Sequence, residues 1–288
     1  MDGAGHGGAT AGAPGPREGP PARPAQPAAP GAPRASSPGG GGALPDRAPH
    51  RGTALTPEGV PDRLYGRRRG HPLRPRQERL LTLALPRFRL TAAEAAHPRA
   101  ALGAADLWLE VGFGGGEHAL ALHAANPGVA LIASEVFENG LCSLLTRLVP
   151  EGAEATTDPP ARLRLWPEDA RHLVALLPAG SLARLYLMFP DPWPKARHAK
   201  RRFVHPAMLP LVARVLRPGA EWRIASDDPT YQQWVEDSFA AQPFFTRAAH
   251  AAGGRPAGWH PTRYEAKALR EARIPHYWTF VRNDAPCD

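Results

Sequence analysis

The sequence predicts an α/β fold with a mainly parallel sheet covered by helices on both faces. Three observations predict it. Short apolar runs alternate with stretches of helical apolar spacing from residue 106 to residue 282, the pattern of repeated βαβ units. A glycine-rich turn, Gly112-Phe113-Gly114-Gly115-Gly116, joins the first run to the first helix. Glu135, Asp169 and Asp191 stand at or just after the ends of later runs. In open α/β sheets that is the edge where ligands bind.

The elements follow in order. Residues 1 to about 60 are low-complexity Ala, Pro and Gly with scattered Arg. Such a segment cannot bury enough apolar surface to offset chain entropy, so disorder is expected there. Its repeated prolines argue against an amphipathic targeting helix. Residues 61–105 form a basic arm and an N-terminal helical segment. The arm carries Arg67, Arg68, Arg69, His71, Arg74 and Arg76, which suits either a nucleic-acid contact or a solvated linker. Helical spacing follows over 77–85. In the main domain, 106–283, strands are expected over 107–111, 129–134, 162–166, 182–189, 221–225, 244–249 and 276–282. Helices are expected over 119–125, 137–148, 170–177 and 206–216, after Asp228-Pro229, and from Thr262. The helix over 137–148 places apolar residues at 137, 141, 144, 145 and 148, a stripe with the 3.6-residue period.

Composition narrows the function classes. The 288 residues carry a formal charge of +8, which favours an anionic partner such as nucleic acid. Lys occurs only at 195, 200 and 267, so the basic character is almost wholly Arg, whose fork grips phosphate bidentately. Two cysteines, Cys142 and Cys287, make neither a disulfide framework nor a metal site. No apolar run approaches the ~20 residues of a membrane span. With no secretory signal either, a cytoplasmic location is the expectation.

The most distinctive stretch is 185–203, LYLMFPDPWPKARHAKRRF. An apolar run ends at Pro190-Asp191-Pro192-Trp193-Pro194. Each proline fixes its own φ and restricts the residue before it. A carboxylate and an indole are thereby held rigidly at a strand end. Lys195, Arg197, His198, Lys200, Arg201 and Arg202 follow at once. The pattern suggests a small-molecule site adjoining a polyanion site. Trp193 is read either as a stacking platform or as a packing residue.

The glycine turn adds the ligand's charge. A dinucleotide turn places a third glycine where Glu117 stands, and Glu110 lies just before the first glycine. Two carboxylates suit pyrophosphate poorly and suit a cation, such as the sulfonium and amino groups of S-adenosylmethionine. Glu135, at the end of the second strand, is placed to accept ribose hydroxyls or to face a helix N-terminus. Asp169 is placed to meet an adenine amino group or to cap its helix.

Taken together, Glu110-Val111-Gly112-Phe113-Gly114, Ser134-Glu135-Val136, Phe189 to Lys195, the basic run and Thr262-Arg263-Tyr264-Glu265 resemble the bacterial tRNA (guanine-N7-)-methyltransferases. The resemblance covers roughly residues 63–283. It implies a Rossmann-like class I methyltransferase fold with a mainly parallel seven-stranded sheet. It implies methyl transfer from S-adenosyl-L-methionine to N7 of a guanine in the tRNA variable loop. By motif, Glu110, Gly112, Gly114, Glu135, Asp169 and Asp191 would line the donor site, with Asp191 catalytic. Lys195, Asp227, Thr262, Arg263, Tyr264 and Glu265 would contact the substrate nucleotide. Arg197, His198, Ala199, Lys200, Arg201 and Arg202 would touch RNA. No metal and no obligate protein partner are implied; the chain would act as monomer or homodimer. Ser226-Asp227 stands where the family usually has Thr-Asp, and the 1–60 leader has no counterpart.

Three other readings were weighed. A methyltransferase for another RNA or base atom keeps the same donor site. A nonenzymatic RNA-binding protein on this scaffold is disfavoured by the joint presence of Glu110, Gly112, Gly114, Glu135 and Asp191. A nucleotide-dependent oxidoreductase is disfavoured by Glu117 in the third-glycine position.

Overall fold

The structure is a computed structural model that describes Arg68 and residues 70–287. The expected disordered leader, with Arg67 and Arg69 of the basic arm, lies outside the described residues. The chain opens with α1 (Pro75–Arg79), a π-helical turn over Leu80–Ala84, and α2 (Leu85–Phe88). Two single-turn helices follow, α3 (Ala92–Ala96) and α4 (Pro98–Leu102), neither expected from apolar spacing. Five residues are too few to show a period, but their ends are written in the sequence. Thr91 and Glu94 cap α3 reciprocally, each side chain taking the other's backbone N–H. Pro98 starts α4, and Gly103 ends it at φ +59°.

The sheet region then runs β1 (Asp106–Val111), α5 (Glu117–Ala125), β2 (Val129–Ser134), α6 (Glu138–Leu148), β3 (Leu163–Trp166), α7 (Ala170–Leu176) and β4 (Leu182–Met188). After β4 come 3-10 turns over Ala196–Arg201 and Pro206–Met208, then α8 (Leu209–Val215), β5 (Leu216–Ser226) and α9 (Pro229–Ala240). The chain closes with β6 (Phe245–Ala252), α10 (Arg263–Arg270) and β7 (His276–Arg282). β5 is longer than the expected 221–225. Leu216 already pairs with Leu182, and a register shift between Leu182 and Arg184 absorbs the Arg217-Pro218-Gly219 turn.

Among the described residues the strands form one seven-stranded sheet in the order β3-β2-β1-β4-β5-β7-β6. The pairs from β3 through β5 are parallel, and β7 runs antiparallel to both neighbours. Alternation along the strands feeds two cores, because successive side chains point to opposite faces. Leu107, Ile132, Leu185, Trp222 and Trp278 enter one, packed with Val174, Val212 and Val235 from α7, α8 and α9. Leu131, Leu165, Tyr186 and Tyr277 enter the other, packed with Ala84, Phe88, Leu122 and Leu145. Cys142 is buried on α6, and burial pushes its thiol up to about 11. It packs as a small hydrophobe, as its helical position implied. Among the described residues no helix is long and apolar enough to cross a membrane.

Candidate functional site

The chain leaves β1 toward β2 and β3 on one side and resumes at β4 on the other. β1 and β4 are therefore neighbours at the point where strand order reverses. The glycine turn leaves the carboxyl end of β1, and the Pro-rich elbow leaves the carboxyl end of β4. In open α/β sheets this crevice holds the ligand.

The turn is built by backbone conformations that favour glycine. Gly112, Gly114 and Gly116 have φ of +74°, +59° and +84°. Glu135 organises it from β2. Its Oε2 accepts the Gly114 N–H at 2.8 Å, and its Oε1 accepts those of Val136 and Phe137 at 2.8 and 2.9 Å. A carboxylate has about four lone-pair sites, so one remains for a ligand hydroxyl. Burial raises the Glu135 pKa, the three amides oppose that rise, and nearby Asp191 adds to it. The electrostatic reach of Asp191 places the elbow and the end of β2 around one space. Helix α6 lies so close that a Cβ on Gly140 would stand 2.4 Å from the Gly114 carbonyl oxygen.

Glu110 sits beneath the turn, fully buried. Its Oε1 is 3.1 Å from Nδ1 of His118, a close contact that is not aligned as a hydrogen bond, and its Oε2 has no hydrogen-bond partner. Glu110, Gly112, His118, Thr262, Arg263 and Tyr264 line a recess with about 10 Å³ of room. Tyr264 covers it, since a Cβ on Gly114 would meet the Tyr264 ring at 3.1 Å. Asp169 is engaged locally: its Oδ1 accepts N–H of Arg171 at 2.9 Å and pairs with Arg171 Nε at 3.1 Å. Of its two sequence readings, the helix cap is the contact drawn.

The elbow is strained as well as proline-bound. Phe189 and Trp193 have φ of +52° and +45°, a region that bulky residues rarely occupy and that persists only where the surroundings enforce it. Phe189 is anchored by its N–H to the Ala225 carbonyl at 2.8 Å. Arg202 holds the other end. It is 5% exposed, donates from Nε to the Pro192 carbonyl and from Nη2 to the Trp193 carbonyl, each at 3.0 Å, and stacks on Trp234 at 4.6 Å. This corrects the expectation that the whole 197–202 run meets RNA: Arg202 faces inward and braces the elbow. Asp191, Lys195, Arg197 and Lys200 are exposed, and His198 and Ala199 are half-buried. Arg201 lies 4.6 Å from the Trp193 ring. Partial burial, reinforced by Arg201, Arg197 and Lys195, lowers the His198 pKa, so the patch's charge comes from its lysines and arginines.

Arg202→Ala is expected to cut methyl transfer about 10- to 100-fold, from losing two charge-assisted hydrogen bonds of roughly 1.5–3 kcal/mol each. RNA affinity should hold, and Arg202→Lys should not rescue, because an ammonium lacks the planar fork that spans two carbonyls. Steady-state kinetics beside a filter-binding assay checks this; a variant with full turnover and weakened RNA binding would return Arg202 to the RNA surface.

The remaining expected residues divide by burial. Asp227, half-buried, pairs with Arg273 at 2.9 Å just before α9. Thr262 and Glu265 form the capping box of α10. Glu265 is 5% exposed and accepts the Tyr277 hydroxyl at 2.7 Å and Arg255 at 2.7 Å. It ties α10 to β7, which departs from the expectation of a substrate contact. Tyr264 is 42% exposed over the turn, with Arg263 bonded to its hydroxyl at 3.3 Å. Sequence reasoning missed Gly140 and His118. A glycine inside a helical stripe is a usable signal of close backbone approach; nothing in the sequence marks His118.

A family model described as a putative methyltransferase matches residues 104–275. A tRNA (guanine-N(7)-)-methyltransferase from Granulibacter bethesdensis is 60% identical over 229 residues, covering 79% of this chain and 98% of that protein. The chain belongs to the tRNA (guanine-N7-)-methyltransferase family. A second member, from Rhodospirillum rubrum, is 45% identical over 236 residues and covers 78% and 90% of the two chains. A third, from Mesorhizobium japonicum, is 42% identical over 239 residues and is covered along its whole length. For a member of this methyltransferase family, the donor set suits S-adenosyl-L-methionine. The unpartnered, buried Oε2 of Glu110 requires a cationic or donating group, which the amino-acid end of that molecule has and a pyrophosphate lacks.

Proposed function

We propose that this protein transfers a methyl group from S-adenosyl-L-methionine to N7 of guanine in the variable loop of tRNA, and that it works in the cytoplasm. The observation that carries the reading is the meeting, at one switch point, of a carboxylate-lined glycine turn and a rigid acidic elbow with a basic run beside it. S-adenosyl-L-methionine supplies an electrophilic methyl group on a sulfonium. Guanine N7 attacks with its in-plane lone pair, and the C–S bond breaks with its electrons staying on sulfur. No base is needed to make N7 nucleophilic. The residues therefore position and stabilise. Glu110 and Glu135 hold the donor's cationic and hydroxyl-bearing ends. Asp191, on its strained and proline-fixed elbow, faces the positive charge that develops on the purine. Lys195, Arg197 and Lys200 hold phosphates of the tRNA, and Tyr264 stacks near the reacting base. Positioning of this kind contributes up to ~7–11 kcal/mol.

The test is transfer of label from methyl-labelled S-adenosyl-L-methionine to unmodified tRNA, then chemical cleavage at 7-methylguanine. Label with a cut in the variable loop is the expected result. Label without that cut would move the target to another base atom, and no label despite donor binding would leave a binding role only.

A further inference from the structure

His118 is 3% exposed, and both ring nitrogens are buried without an aligned hydrogen-bond partner. The ring is held edge-on by Tyr186 at 5.4 Å and by His260 at 6.2 Å, so its orientation is fixed by packing. Nδ1 lies 3.1 Å from Oε1 of Glu110. A bare lone pair that close to a carboxylate oxygen would repel it, so Nδ1 carries the ring proton. In the neutral ring Nε2 is then an acceptor. Two buried acceptors in one recess are left unsatisfied, Nε2 of His118 and Oε2 of Glu110. Each unsatisfied buried acceptor costs about 1–3 kcal/mol. A self-contained Glu–His pair does not need two stranded acceptors, whereas a cation with several N–H donors satisfies both. The recess has about 10 Å³ of room, roughly one water or one ammonium head.

We propose that His118 and Glu110 together bind the α-ammonium group of the methyl donor, Glu110 through Oε2 and His118 through Nε2. This rests on the reading of the glycine turn as the donor site. It adds a ligand-reading residue on α5 and assigns it one group of the donor. Its consequence is selectivity: the site distinguishes a nucleoside thioether with an amino-acid tail from one without.

The experiment compares S-adenosylhomocysteine with 5′-methylthioadenosine, which shares the nucleoside and the thioether but has no amino acid. Calorimetric titrations use the full chain, wild type and His118→Leu. Wild type is expected to prefer S-adenosylhomocysteine. His118→Leu should lose about 10- to 100-fold of that affinity, as for a lost hydrogen bond to a charged group, while its affinity for 5′-methylthioadenosine stays at the wild-type value. His118→Gln, whose amide oxygen replaces the Nε2 acceptor, should keep the preference. It also serves if the Leu variant shows no cooperative melt. Equal weakening of both ligands in His118→Leu, or loss of the preference in His118→Gln, would overturn the proposal by making His118 a packing residue. Binding of neither ligand by wild type would sink the donor-site reading itself, a different failure.

Discussion

Asp191→Asn is expected to lower turnover by about 10²–10³-fold, the usual loss when one preorganised electrostatic group is removed. Affinity for tRNA should be unchanged. The two readouts separate because of where the residue sits. Asp191 is exposed at the apex of an elbow whose flanking residues, Phe189 and Trp193, are held at φ of +52° and +45°. Arg202, the Ala225 carbonyl and the prolines hold that backbone. Asn is isosteric and leaves this brace untouched, so only the charge is lost. Phosphate contacts come from the following residues, Lys195 to Lys200, which the substitution does not touch. Single-turnover methyl transfer and filter binding on the same preparation decide it. Parallel losses in both would mean that Asp191 orients the RNA and does not stabilise the reacting purine.

Gly140→Ala is the second large effect. The added Cβ would stand 2.4 Å from the Gly114 carbonyl oxygen and 3.2 Å from Cγ of Glu135. The first of these is backbone, so no rotamer change relieves it. Helix α6 must move away from the turn, and Glu135, which holds Gly114 through its N–H, is displaced with it. Overpacking of this kind costs about 1–3 kcal/mol of stability. Donor affinity should fall by at least about 10-fold, since the clash lies inside the site and 1.4 kcal/mol is a factor of ten. Calorimetric titration with S-adenosylhomocysteine, beside a thermal melt, measures both. A variant of lowered melting temperature but full donor affinity would show that α6 relaxes without dragging the turn.

The parts of this site that depend on order along the chain were legible in the sequence. The glycine turn after β1, Glu135 after β2 and the elbow after β4 are positions in a βαβ sequence, and such positions fix which edge of the sheet a residue occupies. The helical stripe of α6 and the strand β7 were legible for the same reason: each has a long, regular apolar period. Roles set by burial were not. Arg202 reads as one more cation in a basic run, and nothing local says that it turns inward under two carbonyls. Glu265 reads as a polar residue beside a site, yet Tyr277 and Arg255, which occupy its carboxylate, arrive from other elements. His118 acquires its meaning from Glu110 eight residues away and from rings on β4 and a distant loop. The short helices α3 and α4 lack any period, and only the Thr91–Glu94 cap announces the first of them.

The last strand in chain order is not an edge strand. β7 lies between β5 and β6, and β6 pairs with nothing else in the sheet. During synthesis from the N-terminus, β5 therefore keeps an open edge, and β6 has no partner, until residues 276–282 have left the ribosome. Open edges of this kind template wrong pairings, so the nascent chain passes its most aggregation-prone moment just before this strand emerges. The same strand carries Tyr277, whose hydroxyl grips Glu265 and with it the helix that covers the glycine turn. Completing the sheet and closing the site are thus one event, and a polypeptide still lacking β7 has neither.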